Sequence, residues 1–224
     1  MGVASALFKL ADNGNASSLA SQYRANRFHA FTTLLRDFPN GARILDVGGT
    51  PRTWIQHRDQ LPTGTSVVLL NSQKIDATAS VGLKYEHGDA RDLKYCDGEF
   101  DVCFSNSLIE HFETFREQET VAAEIRRVAR SYFVQTPNRL FPIEPHSLVP
   151  GWQFAPVRLR AFLLQQRGYG WMPRAESAQE ALLAVKSIRL LNAREMRQLF
   201  PDGALTREKI GPLTKSFVVT RQKA

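Results

Sequence analysis

The sequence predicts an α/β protein: a doubly wound, mostly parallel seven-stranded sheet, closed by a C-terminal antiparallel hairpin, with helices on both faces. Three observations carry this expectation. Five short apolar runs, separated by turns and helical segments, follow one another between residues 43 and 136. The first, second and fourth are almost continuously apolar, as strands buried on both faces are. The last two strand-like runs of the chain are joined by a link too short to hold a crossover helix.

Residues 16–38 read as one amphipathic helix, because Phe28, Phe31, Leu35 and Phe38 recur at i, i+3, i+7 and i+10. Arg24, Arg27 and Arg36 provide polar relief beside that apolar face, and Pro39-Asn40-Gly41 stops the helix. The five strands are "RILDVGG" (43–49), "SVVLLN" (66–71), "LKYEHGD" (83–89), "FDVCFSN" (100–106) and "YFVQT" (132–136). A short helix is expected after Pro51, around "WIQHRDQL". Val121, Ile125 and Val128, set among charged residues, mark a covering helix between the fourth and fifth strands.

The tail adds a helix at "NAREMRQLF" (192–200), with Asn192 as N-cap. Strands "ALTREKI" (204–210) and "TKSFVVTRQ" (214–222) then meet across Gly211-Pro212. Residues 147–187 fit no strand of the sheet. They read as an inserted cap with "PVRLRAFLLQQR" its helix, and Trp152, Phe154 and Trp171 are assigned to its core. The expected organisation is an N-terminal helical segment (1–40) and a main domain (41–224) carrying that cap.

The chain has 224 residues, 43% hydrophobic and 23% charged, which suits one elaborated globular domain. Its two cysteines, Cys96 and Cys103, make neither a disulfide framework nor a zinc set. No metal is therefore expected, and a reducing, cytoplasmic compartment is. No run approaches the ~18 apolar residues that would span a membrane. The net charge of +7 is uneven: residues 1–150 hold 16 basic and 17 acidic residues, residues 151–224 hold 13 and 5. That basic third is either a solvated face or an attraction to an anionic partner.

In a doubly wound sheet, ligands bind outside the carboxyl ends of the strands. Gly48 and Gly49 there allow close backbone approach, beside the carboxylate of Asp46. Taken in order, "ILDVGGTPRTW", "GDARDL", "FDVCFSNSLIEHF" and "YFVQTPNRLFPIEPH" resemble the class I S-adenosylmethionine-dependent methyltransferases, particularly the small type 11 group. The resemblance spans about residues 40–140, and the hairpin extends it to the C-terminus. It implies a Rossmann-like fold and S-adenosylmethionine as cofactor. By position it implies that Asp46, Gly48 and Gly49 cradle the cofactor's amino-acid portion and that Asn71 faces the ribose. Asp89 and Ala90 would face the adenine, and Ser105 and Asn106 the methionyl side. Two departures stand out. The D-x-G-x-G-x-G pattern holds only at Gly48, with Thr50 and Arg52 at the later positions, and Asn71 replaces the usual ribose-binding acid.

The stretch "FVQTPNRLFPIEPH" turns a buried strand into a stiff loop through Pro137, Pro142 and Pro145. Such a loop is suited to holding a methyl acceptor in line with the reactive methyl. An oxygen acceptor would need a base, and His111 and His146 occupy the right loops, with His111 ranked first. Glu110, Asn138, Arg139 and Glu144 are candidates for acceptor binding. The acceptor is expected to be a small molecule, a lipid headgroup or a saccharide. Nucleic acid is disfavoured, because neither an aromatic-basic RNA signature nor an N/D-P-P-Y/F tetrad is present. A nucleotide-dependent oxidoreductase would want G-x-G-x-x-G, which "GGTPRT" does not supply. The rival of a different class is a non-catalytic protein of this fold that uses its basic third on RNA. No oligomeric state is read from the sequence.

Overall fold

The structure, a computed structural model, describes residues 18–73 and 82–222. Seven strands form one sheet: β1 (Arg43–Val47), β2 (Ser66–Asn71), β3 (Leu83–His87), β4 (Phe100–Asn106), β5 (Ala129–Pro137), β6 (Ala204–Ile210) and β7 (Leu213–Arg221). Their order is β3-β2-β1-β4-β5-β7-β6. The pairs from β3 to β5 are parallel, while β7 runs antiparallel to both β5 and β6.

Side chains of a strand alternate between faces, and here the alternation sorts two cores. Ile44, Val67, Leu69, Val102, Phe104 and Phe133 pack against Phe28 and Phe31 of helix α1 (Leu19–Leu34) and against Trp54 of α2 (Pro51–Gln56). Leu45, Val47, Val68, Cys103, Tyr132 and Val134 point the other way. They meet Val121, Ile125 and Val128 of α3 (Phe115–Val128) and Met196 and Leu199 of α6 (Ala193–Leu199). The helical spacings read from the sequence are thus those of buried faces.

Local chemistry fixes the helix starts. Thr114 and Glu117 cap α3 reciprocally, as Asn192 and Glu195 cap α6. The first helix ends earlier than its apolar spacing suggests, giving way to a 3₁₀ turn at Leu35–Asp37; residues 16 and 17 lie outside the described residues. "WIQHRDQL" is split at His57 between α2 and a second 3₁₀ turn. β1 and β3 stop at Val47 and His87, two residues short of the expected ends. β5 is longer at both ends, because Ala129–Ser131 already lies along β4 and Pro137 pairs with Ser216 at the rim.

Residues 147–187 contain α4 (Val157–Gln166) and an unanticipated α5 (Ala178–Lys186). They gather a small core of their own around Trp152, Leu164, Met172 and Val185. Phe154 and Trp171 do not join it: they are 59% and 44% exposed, so their assignment to the cap core is corrected.

Candidate active site at the carboxyl edge of the sheet

The carboxyl ends of β1 and β4 open into a cleft of about 160 Å³. Asp46, Gly48, Gly49 and Thr50 form its floor, Phe104 and Asn106 one wall, and Arg24, Arg27 and Phe28 of α1 overlie it. Each glycine has a steric reason to be there. Gly48 has φ +81°, and a Cβ would lie 2.7 Å from Leu108. At Gly49 a Cβ would lie 1.8 Å from a carboxylate oxygen of Asp46. Asp46 itself is buried and accepts a 2.6 Å hydrogen bond from the Trp54 indole. Burial pushes its pKa up to about 7, although the indole donor favours the ionised form.

Asn71 closes the end of β2: its amide donates to the Gly49 carbonyl at 3.4 Å, and its oxygen accepts from the Gln73 amide. Ser105 is fully buried beneath the cleft and donates to the Val47 carbonyl. Asp89 and Ala90 stand beyond β3, outside this lining. The Asp89 carboxylate is held by the fork of Arg91, which also pairs with Glu117. Of the eight expected cofactor contacts, the cleft therefore gathers Asp46, Gly48, Gly49 and Asn106, with Asn71 one hydrogen bond away.

Arg27 is the residue the sequence reading placed wrongly. It is buried, forks onto Glu208 at 2.8 and 2.7 Å, and reaches Asn106 at 3.3 Å. It thereby ties α1 to the C-terminal hairpin across the cleft. Its signal was present: Arg24 and Arg27 precede Phe28 and Phe31 at three- and four-residue steps, so they continue the inward face.

Beyond β4 the chain turns through Ser107, whose φ of +55° is unusual for a residue with a side chain. Gln135 holds that turn by accepting from both the amide and the hydroxyl of Ser107. The next residues are Glu110 and His111. The prolines after β5 carry Glu144 and His146 to the same place, where the two imidazoles meet edge to face at 5.1 Å. Glu144 lies 2.6 Å from Nδ1 of His146 and accepts from the amides of His146 and Ser147.

Burial raises the pKa of Glu110, against the pull of His146, Thr136 and Arg27. Burial works against charge on Glu144 as well, but His146 and the two amides hold it below the usual carboxylate range. His146 is correspondingly raised, since Glu144 and Glu110 outweigh its burial. Dense packing and the neighbouring His146 lower His111 to about 4, so its accessible ring is neutral at physiological pH.

Two acceptor-side candidates behave differently from one another. The Asn138 side chain donates to the Thr214 carbonyl and accepts from the Leu140 amide, so it braces the loop. Arg139 instead lines a second cavity, of about 140 Å³, with Glu144, Arg160 and Arg189. The buried Nε of Arg160 and Oε1 of Gln153 in that lining have no hydrogen-bond partner among the described residues.

Comparisons with known proteins agree with this architecture. Residues 63–132, from before β2 into β5, match the methyltransferase domain family. No curated protein matches the chain. A solved SAM-dependent methyltransferase from Methanosarcina mazei is 13% identical, with 82% of this chain and 93% of that one covered at a TM-score of 0.52. The 1,6-didemethyltoxoflavin-N1-methyltransferase of Burkholderia thailandensis, solved with its acceptor and S-adenosylhomocysteine, is 13% identical. It covers 89% of this chain and 79% of its own at a TM-score of 0.53. An O-methyltransferase family protein of the same organism is 12% identical, covering 94% and 64% at 0.50. The fold is the one these methyltransferases share, and the matched stretch is similar to their domain family. Its neighbours act on nitrogen in one case and are classed by oxygen in another, so the fold leaves the acceptor open.

Proposed function

We propose that the protein transfers a methyl group from S-adenosylmethionine to an oxygen atom of a small acidic acceptor. One observation carries this reading: β4 ends at Asn106 in the cleft, and the same loop continues to Glu110 and His111 in the two-histidine cluster. A cofactor site and a proton-handling site thus adjoin at one edge of the sheet.

The residues of the cleft suit the cofactor. Gly48 and Gly49 leave the approach free of side chains, while Asp46 and Asn106 offer polar groups to its amino-acid portion. The enclosed volume is below the ~300 Å³ usual for a complete ligand pocket. The nucleoside would therefore extend over the ends of β2 and β3, toward Asn71 and Ala90. The cofactor supplies a sulfonium methyl already activated for transfer. The protein's task is to align the acceptor, exclude water and loosen the acceptor's proton.

For that last task the geometry favours His146 over His111. Glu144 fixes the His146 ring, whereas the depressed basicity of His111 makes it a weak proton acceptor near neutral pH. Arg139, Arg160 and Arg189 around the adjoining cavity support an acceptor bearing a carboxylate or phosphate, such as an acidic saccharide or a lipid headgroup.

Transfer of labelled methyl from the cofactor to a panel of acidic and neutral hydroxyl compounds tests the reading. Turnover should be confined to acidic members, and His146→Ala should lower it by ~10²–10⁴-fold with S-adenosylhomocysteine affinity unchanged. Equal turnover of neutral members would remove the arginine-lined cavity from acceptor binding. Absence of cofactor binding would favour a non-catalytic protein of this fold.

A further inference from the structure

The loops after β4 and β5 assemble a donor set that hydrogen bonding does not explain. Ligand-capable atoms of Glu110, His111 and His146 all lie within 4.8 Å of one another. Glu110 is fully buried; one carboxylate oxygen accepts from Thr136, and the other has no hydrogen-bond partner among the described residues. Leaving a buried acceptor unmet costs about 1–3 kcal/mol, and more for a charged one. Among the described residues, no hydrogen bond joins any of the three side chains to another.

The fourth member, Glu144, explains the orientation of the third. It occupies Nδ1 of His146, which leaves Nε2 as the free ring nitrogen. A carboxylate behind an imidazole is how proteins fix the tautomer and direction of a metal-ligating histidine. We propose that Glu110, His111 and His146 bind one divalent first-row transition-metal ion, with Glu144 as the positioning residue. Two imidazoles and one carboxylate suit zinc, manganese, cobalt or ferrous iron; magnesium and calcium prefer all-oxygen sets. Three protein ligands leave coordination positions open, and the accessible side of His111 turns part of the cluster toward solvent.

The role of the ion, though not its binding, rests on the methyl-transfer reading above. The acceptor hydroxyl oxygen occupies an open position, where the cation lowers its pKa as it does that of bound water. The hydroxyl proton leaves to bulk water. The oxygen–methyl bond then forms as the sulfur–methyl bond breaks, its electron pair remaining on sulfur. With the ion bound, His146 serves as ligand and the cation supplies the acidity that a histidine base would otherwise provide.

The test uses the whole chain after dialysis against chelator. Titration with Co²⁺ should produce visible d–d absorption saturating at one equivalent, and Zn²⁺ should compete for that site. His111→Ala and His146→Ala should each weaken Co²⁺ binding by ~100-fold or more, and Glu144→Gln by ~10–100-fold. In the unaltered protein, Mn²⁺ should broaden the ring signals of His111 and His146 among the five histidines. That measurement stands even if an alanine variant folds poorly. No saturable Co²⁺ band, or broadening of other histidines only, would overturn the site, as would undiminished binding by both alanine variants. Parallel titration with S-adenosylhomocysteine separates the two ideas. Cofactor binding without metal binding overturns the site alone, and metal binding without cofactor binding overturns methyl transfer alone.

Discussion

Asp46 is where one side chain belongs both to the fold and to the proposed cofactor site. Its unfolded pKa is near 3.8, and burial lifts the folded value to about 7. Between those values the folded chain keeps a proton that the unfolded chain has released. Stability therefore falls as pH rises through that window. Glu110, raised by burial too, contributes in the same direction. The informative quantity is thus the difference between the parent and Asp46→Asn, which retains an acceptor for Trp54. Chemical denaturation should show the parent losing stability relative to the variant from about pH 4 to about pH 7; parallel curves would mean that Asp46 does not titrate in this way. Asn71→Asp tests the neighbouring position. It should tighten S-adenosylhomocysteine binding by about 1 kcal/mol through stronger hydrogen bonds to ribose, at the small expense of the long contact to Gly49. Weaker binding in calorimetry would place the ribose elsewhere. Gly48→Val is a poor probe, because its side chain would strike Leu108 before meeting any ligand.

Helix α1 and the C-terminal hairpin are joined over the cleft by the forked pair of Arg27 and Glu208, with Ser216 completing the contact. Both charged side chains are largely buried, at 9% and 13% exposure. Removing one partner strands the other. Arg27→Ala should cost about 3–5 kcal/mol in denaturant unfolding, and adding Glu208→Gln should recover part of that loss. Strict additivity of the two changes would show that the pair is not coupled. The contact was illegible in the sequence, since Arg27 and Glu208 are separated by almost the whole fold. β2 and β4, by contrast, were legible to the residue, because their apolar runs are bounded by turn or loop residues. β5 was read short because Ala129, Arg130 and Ser131 carry no strand-like apolar pattern, and β4 pairing decides their conformation. α5 was missed because its apolar side answers only to the cap's own core. The histidines were found from the loops that carry them. Their contact with each other, and with the orphan oxygen of Glu110, required the two loops in three dimensions.

Across the whole molecule, the candidate site residues gather at the carboxyl edge of one mixed sheet, where loops from the β1, β4 and β5 ends converge. The acidic and basic residues of the first 150 positions nearly cancel, and the excess of base lies in the last 74. Arg160 and Arg189 bring part of that excess to the cavity beside Glu144. We propose that the cleft under α1 holds S-adenosylmethionine. Hydrogen exchange of the unaltered protein with and without S-adenosylhomocysteine addresses it most directly. With the compound bound, exchange should slow at residues 46–50, 71–73 and 104–107, with the cap little changed. Exchange that is unaltered by the compound, or slowed only within residues 147–187, would contradict the proposal.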